Sequence, residues 1–189
     1  MNEKKQDFYI DCYFRQSWFD NRLIFNTSKG VTELPMNWQF LNKIWKPDTF
    51  FINGKKSKMH KITVPNKFLR ITPDGRVSYS QRLTIHARCK MHLLKFPLDS
   101  QVCPLWIGSY GYASQDLLYA WKKNGVAIDD LQMAQFRMEH YDIGKRMQSA
   151  LNNSDKCAAV KMQPKCSQNE VKMKSKCSQN AVKMQSKCS

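Results

Sequence analysis

Arginine is the side-chain type best suited to hold an acidic ligand, and Arg15 and Arg82 both fall within predicted strands. A guanidinium is planar, always charged, and offers paired N–H donors that match the two oxygens of a carboxylate. Arg15 sits within an aromatic run from Phe8 to Trp18, and Arg82 lies two residues from Ser80. An arginine in partly dehydrated surroundings selects a carboxylate more strongly than an exposed one. Pattern alone favours the plainer alternative, solvated charges on strand faces.

Cys89 and Cys103 bracket thirteen residues that include Phe96-Pro97-Leu98-Asp99. Were such a loop closed, it would contribute about 3 kcal/mol through the unfolded state. Two cysteines at that separation mean little alone; the interior is what is specific. Cys166, Cys177 and Cys188 recur every eleven residues, which matches no zinc-ligand spacing, and His60, His86, His92 and His140 form no metal motif. There is no glycine-rich phosphate loop and no nucleophile elbow. No catalytic residue, metal site or cofactor is therefore expected, and no enzyme.

The net charge of +16 raises the question of nucleic acid, but no zinc-finger spacing, RNP motif or helix-turn-helix pattern supports it. The charge is also unevenly spread. Residues 145–189 carry ten Lys and Arg against two acids, whereas residues 1–144 carry 21 against 13, so each part contributes +8. No stretch approaches the ~18 apolar residues that span a bilayer, and the start, Met1 to Asp11, has no apolar core of a signal peptide. The sequon Asn26-Thr27-Ser28 and the cysteines point the other way, to an oxidising and glycosylating compartment.

The elements that must position these residues are strands. From Arg76 to Cys89, Val77, Tyr79, Leu83, Ile85 and Ala87 share one face, with Gln81 the exception. Ser78, Ser80, Arg82, Thr84, His86 and Arg88 share the other. Period two over this length predicts a half-buried antiparallel strand. Thr72-Pro73-Asp74-Gly75 supplies turn chemistry and Lys67–Ile71 a partner, so residues 66–88 are predicted to form a hairpin. Residues 8–18 and 117–121 read as further strands, and Asn124-Gly125 as a tight turn. The predicted fold is all-β, an antiparallel immunoglobulin-like sandwich.

From Ala159 an 11-residue unit repeats: Ala-Val-Lys-Met-Gln-Pro-Lys-Cys-Ser-Gln-Asn and two near copies. On a helix its Val and Met would lie about 200° apart, so no apolar stripe forms. Low complexity and high charge predict disorder for residues 145–189.

Residues 7–144 resemble the Cys-loop, or pentameric ligand-gated ion channel, family in collinear order. Two cysteines flanking thirteen residues with Phe-Pro-x-Asp is one family mark, met by Cys89, Phe96, Pro97, Asp99 and Cys103. Trp-x-Pro-Asp is another, met by Trp45-Lys46-Pro47-Asp48. Phe14–Trp18, Lys43–Phe51, Pro65–Ile71 and Gly108–Tyr112 are similar to GABA type A receptor subunits. Asn53–Ser57 and Cys103-Pro104-Leu105 tilt the likeness to alpha-type subunits. Glycine- and glutamate-gated chloride channels are the nearest alternatives.

The resemblance implies a disulfide between Cys89 and Cys103, and an agonist site that binds a small amino-acid neurotransmitter between subunits of a pentamer. It places Tyr13, Arg15 and Ser17 in one binding loop of the complementary face and Ser80 and Arg82 in another, with Arg70 also an agonist-binding residue. Phe50 and Tyr110 match aromatic positions of the opposite, principal face. Beta-type subunits usually carry Glu where Gly108 stands, so this chain is expected to supply the complementary side. Phe96, Pro97 and Asp99 would couple agonist binding to the pore, and Asn26 would carry glycan.

The family's capping strands and four transmembrane helices have no counterpart here. The expectation is a partial extracellular domain over residues 1–144 and a basic repeat tail over residues 145–189. The intact protein is expected on the extracellular side of a postsynaptic membrane. The fragment itself would not conduct ions and could instead act as an assembly partner. It would touch membrane only through absent segments, and no nucleic-acid partner is expected.

Overall fold

The computed structural model describes residues 1–2, 4–27, 30–96, 99–123, 125–128, 137–149, 156–167 and 181–188. Its strands are β1 (Asp7–Phe19), β2 (Leu34–Met36), β3 (Thr49–Phe51), β4 (Lys58–Met59), β5 (Lys67–Ile71) and β6 (Arg76–Arg88), followed by β7 (Ser100–Val102), β8 (Leu105–Ser109), β9 (Leu117–Trp121), β10 (Arg137–Ser149), β11 (Lys156–Ser167) and β12 (Ala181–Cys188). Short 3-10 turns are the only helical elements among the described residues, and no helix there is long and apolar enough to cross a membrane. The fold is all-β, as predicted.

Two sheets form. One runs β2-β5-β6-β1-β12-β9 with β4 also paired to β6; the other runs β10-β11-β8-β3 with β7 paired to β11. The alternation in β6 is as read from the sequence: Val77, Tyr79, Leu83, Ile85 and Ala87 are buried, and only Ser80 joins them from the polar set. β1 alternates in step, with Phe8, Phe14, Gln16 and Trp18 buried and Tyr9, Asp11 and Phe19 exposed. The 66–88 hairpin closes through Gly75, whose φ of 79° lets its N–H reach the Thr72 carbonyl at 2.9 Å. A Cβ at Gly75 would also meet the Asp20 carbonyl oxygen at 2.7 Å. Asn124 of the second predicted turn lies outside the described residues.

Phe8, Phe14, Leu83 and Ile85 of the first sheet pack with Leu105 and Ile107 of the second in one core, and Trp18, Leu41, Leu69, Val77 and Tyr79 form another. The buried amide of Gln16 is satisfied by donating to the Thr49 hydroxyl, which in turn shares a 2.9 Å hydrogen bond with the Tyr119 hydroxyl. Burial pushes the Tyr119 hydroxyl up to about 12, so it stays a protonated partner in that chain.

Parts of residues 145–189 join the sheets. β10 runs straight through residue 144, and Lys156–Ser167 and Ala181–Cys188 are strands of the two sheets. Val160, Met162, Pro164 and Cys166 share one parity and Lys161, Gln163 and Lys165 the other, which is period two rather than a helical period. Such a segment gains order by pairing with existing strands, a long-range contribution that composition does not register.

Candidate functional site

The hairpin and β1 bring the predicted complementary-face residues together. In the β1–β6 ladder, Tyr13 stands opposite Arg82, Arg15 opposite Ser80 and Ser17 opposite Ser78. Across the β5–β6 ladder, Phe68 stands opposite Ser80 and Arg70 opposite Ser78. Residues paired directly across strands share a sheet face. Two rows therefore cross three strands: Phe68-Ser80-Arg15 and Arg70-Ser78-Ser17, with Arg82-Tyr13 as a third row over two strands. Strand spacing near 4.8 Å makes the patch about 10 Å wide.

The two central groups are partly withdrawn from water. Ser80 is buried and Arg15 half-buried, while Arg82, Arg70 and Phe68 are exposed. Nε of Arg15 is shielded from solvent and finds no hydrogen-bond partner among the described residues. A buried donor left unmet is costly. Arg70 is differently occupied: it donates to Glu33 at 2.9 Å and lies over the Phe68 ring at 5.3 Å. Its charge is thus already partnered, and it lies one row from Arg15.

Phe50 and Tyr110 stand apart from this patch, on the second sheet. Their rings meet edge to face at 5.6 Å. Tyr110 is 82% exposed, and its loop is held by Asp48. That carboxylate accepts from Ser109 Oγ at 2.5 Å, Tyr110 N at 3.1 Å and Gly111 N at 2.5 Å. Trp45 of the same Trp-Lys-Pro-Asp motif donates from Nε1 to the Tyr112 hydroxyl at 2.9 Å. The motif is a clamp on the loop that presents Tyr110.

Cys89 and Cys103 are joined, with Cα atoms 5.0 Å apart, and both are buried. Gln101 braces the loop they close: its side chain accepts from His92 N at 3.0 Å, donates to His92 O at 2.9 Å and donates to Asp99. Asp99 is buried, while Phe96 and Leu94 are exposed at the tip. Pro97 lies outside the described residues. Asn26 is exposed on a loop.

An ionic cluster anchors the start of β1. Buried Asp7 pairs with Lys55 Nζ at 2.8 Å and with His86 Nε2 at 2.8 Å, and Tyr9 stacks on the His86 ring with centroids 4.2 Å apart. The hydrogen bond from Lys55 holds the Asp7 carboxyl below its ordinary range against the opposing effect of burial, with His86 assisting.

This arrangement was compared with known proteins. Residues 1–178 match the neurotransmitter-gated ion-channel ligand binding domain. The chain belongs to that family. Among relatives of this ligand-binding domain, the Drosophila melanogaster gamma-aminobutyric acid receptor alpha-like protein is 50% identical over 139 residues, covering 72% of this chain and 20% of the relative. The gamma-aminobutyric acid receptor subunit alpha-3 proteins of Bos taurus and Homo sapiens are each 42% identical over 143 residues, covering 76% of this chain and 29% of theirs. The chain thus spans less than a third of the relatives' length. These relatives are receptor subunits, not enzymes.

Sequence reasoning on this ligand-binding domain missed Phe68, Asp48 and Gln101 as supports. Phe68 alternates with buried Leu69, so its exposed face was readable. The partners of Asp48 and Gln101 lie across loops and carry no local signal.

Proposed function

We propose that this domain is the extracellular agonist-binding part of a GABA-gated chloride channel subunit and supplies the complementary face of the agonist site. Arg15 takes the ligand carboxylate, Ser80 and Ser17 offer hydroxyls beside it, Tyr13 and Arg82 flank it, and Arg70 borders it. The observation that carries this reading is the shielded Nε of Arg15, which has no partner among the described residues, in the row with Ser80 and Phe68. The names of the relatives support the choice of GABA. Phe50 and Tyr110 are assigned to the opposite face, where an aromatic pair suits an ammonium. Phe96, Pro97 and Asp99 are assigned to coupling with a pore, Asn26 to glycosylation, and the intact protein to a pentamer in the plasma membrane.

The test is a titration of the isotope-labelled chain with GABA, glycine and glutamate in turn, followed by NMR. Saturable shifts at Arg15 and Ser80 with GABA, and weaker ones with the others, are expected. Stronger shifts with glycine or glutamate would reassign the agonist, and no shift with any of the three would overturn the site.

A further inference from the structure

β11 and β12 are built from one repeat and stand in different sheets. Residues 159–167 read Ala-Val-Lys-Met-Gln-Pro-Lys-Cys-Ser, and residues 181–189 differ from them only in Ser186 where the first copy has Pro164. The two backbone environments differ at that same place. Along β11, β8 pairs with Val160 to Met162 and β7 with Lys165 to Ser167, so Gln163 and Pro164 fall in the break between those two neighbours and are paired on one side only, with Asp142 and Tyr141 of β10. In β12, Ser186 is paired on both sides, with Trp18 of β1 and with Tyr119 of β9.

Proline has no backbone N–H and is tolerated only where a ladder bond is not demanded of it. The break beside β7 and β8 meets that condition. A position flanked by strands on both sides does not, because its N–H must serve one of them.

We infer that the repeat tail is this domain's own strand donor, and that Pro164 keeps the first copy out of the slot between β1 and β9. The proline copy fills the position beside β7 and β8. The serine copy fills the slot between β1 and β9. That slot adjoins the strand that carries Tyr13, Arg15 and Ser17: Tyr13 to Trp18 pair in parallel with Ala181 to Ser186. Filling it completes the sheet along β1, so the tail stabilises the strand beneath the candidate site. The intervening copy, Glu170 to Asn180, also has serine, Ser175, at this place, which makes it a competing donor by sequence.

Amide hydrogen exchange on the full chain tests the assignment. In Ser186→Pro, amides of β1 from Tyr13 to Trp18 and of β9 should exchange about tenfold faster, as expected from loss of one ladder bond. Amides of β5 should be unaffected, and Ser186→Thr, which keeps the N–H, should match the parent. In Pro164→Ser the first copy becomes identical to the third, and β1 should show one more exchange population than the parent. Unchanged protection of β1 and β9 in Ser186→Pro overturns the inference. If Ser186→Pro loses protection throughout, Pro164→Ser decides: the same number of β1 populations as in the parent overturns the inference and an added one supports it. Protection of β1 that rises with protein concentration would place a second copy's tail in the slot and overturn the own-tail assignment.

Discussion

Arg15 and Ser80 face each other across the β1–β6 ladder, and Ser80 is buried while Arg15 keeps a shielded N–H that has no partner among the described residues. The pairing follows from two strands whose alternation is in phase. The even-numbered residues of β1 and the odd-numbered residues of β6 fill the core, which leaves Tyr13, Arg15 and Ser17 beside Arg82, Ser80 and Ser78 on the opposite face. The site is a consequence of register, so it is sensitive to whatever holds that register.

One such anchor is Asp7. Its folded carboxyl lies below its ordinary value, chiefly because Lys55 donates to it. A depressed folded value means the contribution is present above the unfolded value, near 3.8, and is lost as pH falls through the folded one. Lys55→Met removes the main cause. It should lower stability at neutral pH by about 2 kcal/mol, allowing for the partial exposure of the lysine. It should also move acid unfolding to higher pH. Urea midpoints measured across pH check both effects, and an unchanged acid limb would contradict the anchoring role.

The clamp formed by Asp48 makes a separate prediction. Asp48→Ala leaves the Ser109 hydroxyl and the Tyr110 and Gly111 amides without their shared acceptor. Hydrogen bonds to a charged group justify a loss of about 2 kcal/mol. Exchange at Tyr110 and Gly111 should quicken more than exchange in β6. Uniform quickening would mean that Asp48 supports the whole sheet rather than this loop.

Closing the Cys89–Cys103 loop, with a sequence separation of 14, should stabilise the domain by about 3 kcal/mol. The paired change Cys89→Ser with Cys103→Ser should show that loss in urea denaturation. His92 should also lose amide protection, since Gln101 braces it only while the loop stays closed. A stability unchanged by the double substitution would place the constraint elsewhere.

Much of this was legible in the sequence, for physical reasons that differ by element. β6 was readable because one face of it meets core and the other does not, and period two records that directly. The grouping of Arg15, Ser17, Ser80 and Arg82 came from the family likeness and agrees with strand parity. The strands of residues 156–167 and 181–188 were not readable, because their pairing partners β1, β8 and β9 lie far away in sequence. Their Val-x-Met-x-x-x-Cys parity was present but was outweighed by low complexity and charge. The ion pair of Arg70 with Glu33 was likewise invisible, since it joins residues 37 apart.

The central claim is that Arg15 receives a carboxylate. The direct measurement is the affinity of the parent chain and of Arg15→Gln for GABA, for butyrate, which keeps only the carboxylate, and for butylamine, which keeps only the ammonium. The parent should bind GABA and butyrate, and Arg15→Gln should weaken both by about 10- to 100-fold, the worth of one charged hydrogen-bonded contact. Butylamine binding should not respond to the change. GABA and butyrate affinities that survive Arg15→Gln undiminished would contradict the assignment.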